Sequence, residues 1–120
     1  MRNMSFALTT EQVRNRTKTV TRRIGWATLQ PGTLIQPVVK GMGLRKGEKA
    51  EKIGGPIRVV DVWRGPLERM LGRFDDFAAS DESRLEGFPH LTSEEFVEMF
   101  CKHNGCASGD EVTRIEFEYL

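Results

Sequence analysis

The sequence has no apolar run approaching the 18 or so residues that a membrane span requires, so we expect no membrane partner. It also has few cysteines, two among 120 residues. This number is too small for a disulfide-built secreted domain and predicts a protein of a reducing, cytoplasmic compartment. The first residues show no secretory signal pattern. At this length, a single domain can bury a core without disulfides or metal.

The cysteines do not form a zinc motif. Cys101, His103 and Cys106 supply three ligands where structural zinc requires four, and a second cysteine pair is absent from the sequence. We therefore expect Cys101 to be a packed thiol, and we expect no metal and no other cofactor. A glycine-rich phosphate loop after the first predicted strand is also missing, which argues against a doubly wound α/β fold.

Charge, in contrast, is abundant and unevenly distributed. Residues 1–64 contain 13 Lys and Arg against 4 Asp and Glu, a balance of +9, whereas residues 65–120 contain 5 against 13, a balance of −8. One interpretation is a basic face that binds a phosphorylated or polyanionic partner. The other is that the two halves attract each other across the fold.

The apolar pattern predicts strands separated by helices and long connections. Thr9 and Gln12 predict a capped short helix at 10–16, and Thr92 with Glu95 predicts a capping box for a helix that Gly105 ends. β-branched segments with turn signals predict strands at 4–8, 19–24, 33–39, 57–63 and 111–120. The last of these starts out of step, which predicts a bulge near residue 113. We predict one α+β domain over 1–120, a small mixed β-barrel with flanking helices.

Two segments concentrate basic residues. Residues 40–56 hold five glycines and five basic residues, which predicts a flexible basic loop, with candidate nucleic-acid contacts at Arg45, Lys46, Lys49 and Lys52. The stretch RTKTVTRRIGW, residues 16–26, contains three threonines and four further cations. These cations are Arg16, Lys18, Arg22 and Arg23. Such cations can hold phosphates, or they can lower the pKa of a neighbouring lysine that does chemistry.

Three segments resemble the ASCH domain, a relative of the PUA-like RNA-binding barrel. RTKTVTRRIGWATLQPGTL resembles its opening motif, which is Lys-Thr-x-Thr, an arginine and a Pro-Gly turn before a strand. EGFPHLTSEEFVEMF resembles its second signature, and RIEFEYL resembles its closing strand. The resemblance covers nearly the whole chain outside 40–56 and implies a PUA-like barrel.

Some ASCH proteins are small amidohydrolases that deacetylate 4-acetylcytidine, and the resemblance places their catalytic lysine, threonine and glutamate on Lys18, Thr21 and Glu86. Thr21 would supply a nucleophilic hydroxyl, Lys18 would act as a base if its amine is neutral, and Glu86 would protonate the departing nitrogen. Trp26 and Phe88 could stack on a base. Taken alone, the same residues also fit ordinary strand, helix-end, surface and core positions.

Two functions therefore stay open. The first is a cofactor-free amidohydrolase acting on an acylated cytosine nucleoside. The second is a non-catalytic module that binds RNA or single-stranded nucleic acid through the basic face, or a ribonuclease built on it. The intact Lys-Thr-x-Thr motif favours hydrolysis, and the basic loop favours a polynucleotide.

Replacing Arg45, Lys46, Lys49 and Lys52 together with Ala tests the second function. If the loop holds phosphates, the variant should bind single-stranded RNA more weakly and with a flatter dependence on salt, because fewer counterions are released. Affinity measured at several salt concentrations gives this slope. An unchanged slope would contradict a role for the loop.

Overall fold

The computed structural model describes residues 1–40, 47, 49–71 and 79–120. The described strands form one mixed five-stranded sheet: β1 (Arg2–Ser5), β2 (Val20–Arg23), β3 (Leu34–Val38), β4 (Ile57–Pro66) and β5 (Glu111–Tyr119). The strand order is β1-β3-β4-β5-β2, with β1 parallel to β3 and the other neighbours antiparallel. The predicted α+β class with a mixed sheet is confirmed.

The described helices are α1 (Thr10–Arg14), α2 (Ala79–Leu85) and α3 (Ser93–Asn104), with 3-10 turns at Ala7–Thr9 and Leu67–Leu71. Within the described ranges, no helix has the length and apolar character needed to cross a membrane.

The prediction of a closed barrel was wrong. β1 and β2 are the two edges of the sheet and do not pair with each other. The space near these edges is occupied by side chains: the Arg23 guanidinium carbon lies 4.7 Å from the centre of the Phe6 ring. A barrel closes only when its first and last strands exchange backbone hydrogen bonds, and β1 and β2 do not.

The cap predictions for two helices had different outcomes. In α3 the predicted capping box is confirmed, since Thr92 and Glu95 bond reciprocally, and Gly105 ends the helix in the left-handed conformation. The predicted cap of α1 was wrong, because Thr9 makes no side-chain cap bond. The Gln12 amide instead donates to the Gly87 carbonyl at 3.1 Å, so a distant segment replaced the local partner.

The irregularity predicted near Thr113 lies instead on β4, between Val59 and Asp61. β5 starts out of step because Val112 through Ile115 are all buried. Its two faces are covered by different layers. One is a core between the sheet and the N-terminal segments, containing Met4, Phe6 and Ile115, and the other is a core under α3, containing Phe96 and Val112.

The basic loop is described in part. Arg45 and Lys46 lie outside the described residues, and Lys49 and Lys52 are exposed. Beyond them the chain returns to the sheet, where the Ile53 amide donates to the Pro37 carbonyl at 2.9 Å and the Ile53 side chain is buried. At least this end of the loop is therefore packed against the sheet.

The buried face of α3 gives a stability prediction. Phe96 and Phe100 are buried against the 3-10 turn at 67–71, so either residue changed to Ala should lower the free energy of unfolding by about 3–5 kcal/mol. Val60→Ala, at an exposed position, is the control and should change it by less than about 0.5 kcal/mol. Denaturant unfolding measures all three. Losses below about 1 kcal/mol at both phenylalanines would place the core on another face.

Candidate functional site

A cavity of about 180 Å³ lies where the end of β1, β2 and the connection between α2 and α3 meet. Its polar lining includes Lys18, Thr21, Arg22, Arg23 and Glu86. Aromatic side chains, among them those of residues 6, 88, 96 and 100, form its apolar wall. The cavity therefore places charged groups beside apolar surface, an arrangement typical of small-molecule sites.

Lys18 reaches the cavity because it lies just before β2. The chain leaves α1 through Arg16, whose φ is +64°, and the Lys18 amide donates to the Gln12 carbonyl at 3.2 Å. In a regular strand, residues 18 and 21 would point to opposite faces. The turn before Val20 removes that restriction, and Lys18 and Thr21 line the same cavity.

Tyr119 fixes the backbone of Lys18 from the other side. Its hydroxyl donates to the Lys18 carbonyl at 2.5 Å. Burial raises the pKa of Tyr119 to about 12, against the opposing effect of Arg16, so the hydroxyl keeps the proton that it donates.

The Lys18 amine is buried against Glu86. Nζ donates to Glu86 Oε1 at 2.9 Å and to the Glu86 carbonyl at 2.6 Å, and both residues are 2% exposed. Burial lowers the pKa of Lys18, Glu86 opposes this, and the charges of Arg23 and Arg22 lower it further, with a net decrease. The neutral form of the amine is thus more populated at a given pH here than on an exposed lysine.

A second carboxylate extends this arrangement into a buried ionic network. Arg22 donates to Glu86 Oε2 at 2.9 Å and also to Glu82, and Arg114 donates to both oxygens of Glu82 at 2.8 and 3.1 Å. Arg22 and Arg114 are opposite each other in the β2–β5 pairing, so Glu82 binds two neighbouring positive charges. Burial opposes ionisation of Glu82, but the two arginines outweigh it and its pKa is lowered.

Thr21 is held by the remaining arginine. Arg23 Nε donates to Thr21 Oγ1 at 3.1 Å, and burial lowers the pKa of Arg23 to about 10, against the effect of Glu86. In the described residues, Thr21 Oγ1 makes no hydrogen bond to Lys18 Nζ. A proton would therefore pass between them only after substrate or water enters, or after a rotamer change.

The structure brings together six of the residues singled out in the sequence: Lys18, Thr21, Arg22, Arg23, Glu86 and Phe88. It places others elsewhere. Arg16 is exposed, with its guanidinium 5.7 Å from the Tyr119 ring, and Trp26 packs against the sheet core under Arg2 at 4.0 Å. Lys49 and Lys52 do not line the cavity either.

Glu82 and Arg114 were missed. A signal for Glu82 existed, because it lies four residues before Glu86, a spacing that puts two side chains on one face of a helix. No such signal existed for Arg114, because its partner, Glu82, is 32 residues away in the chain. From sequence alone, an arginine in the last strand is expected to face solvent, because the helix that covers it is not yet known.

The cysteine-rich segment shows no metal geometry. In the parts of the chain that the structure describes, no three His, Cys, Asp or Glu residues are grouped to hold a metal ion. Cys101 and Cys106 are free thiols, and burial together with the contact to Cys106 raises the pKa of Cys101.

Comparison with known structures gives the fold. The chain matches a crystal structure of an ASCH domain from Lactobacillus crispatus JV V101, with a TM-score of 0.61 and 12% identity over 98% of this chain and 77% of that one. No family model matches the sequence, and no curated protein matches it. The fold of this chain is that of an ASCH domain.

Gly87 provides a test of how closely this site is packed. Its φ is +96°, and an added Cβ would lie 3.1 Å from Gln12 Cγ and 3.5 Å from Lys18 Cβ. Gly25 is a matched control, with φ +86° and open space around its Cβ position. Each change to Ala should cost about 1–2 kcal/mol for the left-handed backbone. Gly87→Ala should cost more in denaturant unfolding, because it also displaces its neighbours, and equal losses would contradict this packing.

Proposed function

We propose that this protein is a small amidohydrolase that removes the acetyl group from 4-acetylcytidine or a closely related N-acylated cytosine nucleoside. The observation that carries the proposal is the buried Lys18 amine, held against Glu86 among guanidinium groups in the cavity that also contains Thr21. The likeness of the Lys-Thr-x-Thr segment to that of ASCH amidohydrolases supports it, whereas the connection after Glu86, GFPHL, differs from the short segment of those hydrolases.

The charges around Lys18 suit a base. Four cations surround the cavity and the network, namely Lys18, Arg22, Arg23 and Arg114, against the carboxylates of Glu82 and Glu86. Loss of the Lys18 proton reduces this excess of positive charge inside a poorly solvated space. The neutral amine can then take the proton of the Thr21 hydroxyl, which a charged lysine cannot do.

In the first chemical step, Thr21 Oγ1 attacks the acetyl carbonyl carbon as its proton moves to Lys18 Nζ. The Arg23 guanidinium, which donates to Oγ1 in the resting site, stabilises the oxygen as it loses that proton. Glu86 Oε1, 2.9 Å from Nζ, relays the proton to the departing cytosine nitrogen. The carbon–nitrogen bond breaks, which leaves cytidine and an acetyl ester on Thr21.

In the second step, water hydrolyses the ester. Lys18, neutral again, takes a proton from the water as the oxygen attacks the ester carbonyl. The carbon–oxygen bond to Thr21 breaks, Thr21 recovers its proton from Lys18, and acetate leaves. The sum is one amide and one water converted to one amine and one carboxylic acid, without a cofactor.

The burial of the basic side chains on and just before β2 favours hydrolysis over the nucleic-acid module. Arg22 is buried and bonded to two carboxylates, and Lys18 is buried against one of them, so neither is displayed as a phosphate contact. A polynucleotide role would have to rest on other cations, such as exposed Lys49 and Lys52.

Lys18→Arg tests the proposed base. Arginine keeps the positive charge but does not become neutral in the working pH range, so turnover of 4-acetylcytidine should fall by about 10²-fold or more. Thr21→Val should produce a similar loss, because it removes the nucleophile that Lys18 activates. Lys49→Arg, on the surface, is the control and should keep the wild-type rate, and circular dichroism checks that each variant is folded. Near wild-type hydrolysis by Lys18→Arg would rule out the lysine as base.

The pH dependence of turnover should report the same group. Because the pKa of Lys18 is lowered, the rate should rise with pH as the amine loses its proton and level off below the ordinary lysine value of 10.5. Initial rates of cytidine formation across this range give the profile. A rate that falls with rising pH over this interval would assign the protonated amine, and not the neutral one, to catalysis.

A further inference from the structure

The candidate cavity adjoins a second, wider depression along α3, which we call the α3 groove. Its volume is about 830 Å³. Four residues line both spaces and so lie at the boundary between them: Leu8, Phe88, Met99 and His103. Lys18, Thr21 and Glu86 do not line the groove, which therefore begins beyond the proposed catalytic groups.

The chemistry of cytosine links the two spaces. The acylated nitrogen is attached to C4 of the ring, and the sugar is attached to N1, which is opposite C4. If the acylated nitrogen lies at Lys18 and Glu86, the N1 substituent points away from them. The groove lies on the side of the cavity away from those groups, and half-buried Phe88, an aromatic residue of the kind that stacks on bases, lines both spaces.

The charges in the groove favour a sugar over a phosphate as its occupant. Glu95, Glu98 and Lys102 line the groove, with His90 and His103 as the other titratable groups, so with neutral histidines the balance is −1. Hydrogen bonds from the Thr92 backbone and side chain lower the pKa of Glu95, which therefore stays ionised. Carboxylates accept hydrogen bonds from sugar hydroxyls and repel phosphates.

We propose that the α3 groove binds the pentose of the nucleoside and that Glu98 makes it select an uncharged sugar over a 5′-phosphorylated one. This proposal rests on the proposed function for the orientation of the base. It names free nucleosides as the substrate class, in preference to nucleotides and polynucleotides.

Binding of the unacylated ligands tests this without relying on turnover. Calorimetry would compare cytosine, cytidine and cytidine 5′-monophosphate on the wild-type protein, on Glu98→Lys and on Glu94→Lys. Glu94 is an exposed residue of the same helix that does not line the groove, so its variant carries the same change in charge. We expect cytidine to bind about tenfold more tightly than cytosine, since the sugar adds hydrogen bonds.

The monophosphate should bind the wild-type protein more weakly than cytidine. Glu98→Lys should raise its affinity relative to cytidine by about fivefold, and Glu94→Lys should leave that ratio unchanged. Equal affinities for cytosine and cytidine, equal effects of the two lysine variants, or no cytidine binding would overturn the groove as a sugar subsite. Cytidine binding with these preferences, but without hydrolysis of 4-acetylcytidine, would keep the subsite and overturn the amidohydrolase.

Discussion

The Glu86 carboxylate, accepting from both Lys18 and Arg22 in the interior, is the interaction on which the candidate site depends. It joins the segment after α2 to the beginning of β2, 64 to 68 residues apart in the chain. Isolated burial of any of these charges would cost several kcal/mol, so each must have its partners. The Glu82 contacts with Arg22 and Arg114 extend the same requirement to β5.

The network also sets the protonation of its members. Guanidinium groups remain charged in proteins, so the excess of positive charge is relieved most readily at the one amine present, Lys18. Burial and the neighbouring arginines lower its pKa, and Glu86 limits the decrease. The arrangement that compensates buried carboxylates thus also lowers the pKa of a lysine, which joins the stability of the site to the protonation of Lys18.

The open sheet has a consequence for the cavity. Because the two edge strands do not pair, side chains of Phe6, Thr21 and Arg23 face a cavity where a closed barrel would have backbone hydrogen bonds. The α3 groove adjoins this cavity through four shared lining residues. An edge strand left uncovered would invite pairing with another chain, and a cavity wall of charged side chains makes such pairing unfavourable.

The sequence by itself determined what depends on neighbours along the chain: the α+β class and the α3 capping box with its buried phenylalanines. The candidate set Lys18, Thr21 and Glu86 came from the resemblance of whole segments to the ASCH domain and not from local pattern. Only the tertiary structure decided what depends on distant segments. It left the sheet open, moved the irregularity to β4, and gave Gln12 a partner 75 residues away. It also added Glu82 and Arg114 to the site. The reason is physical, since capping and helical periodicity act over a few residues, whereas a buried charge is satisfied by whichever opposite charge the packing brings within hydrogen-bond distance.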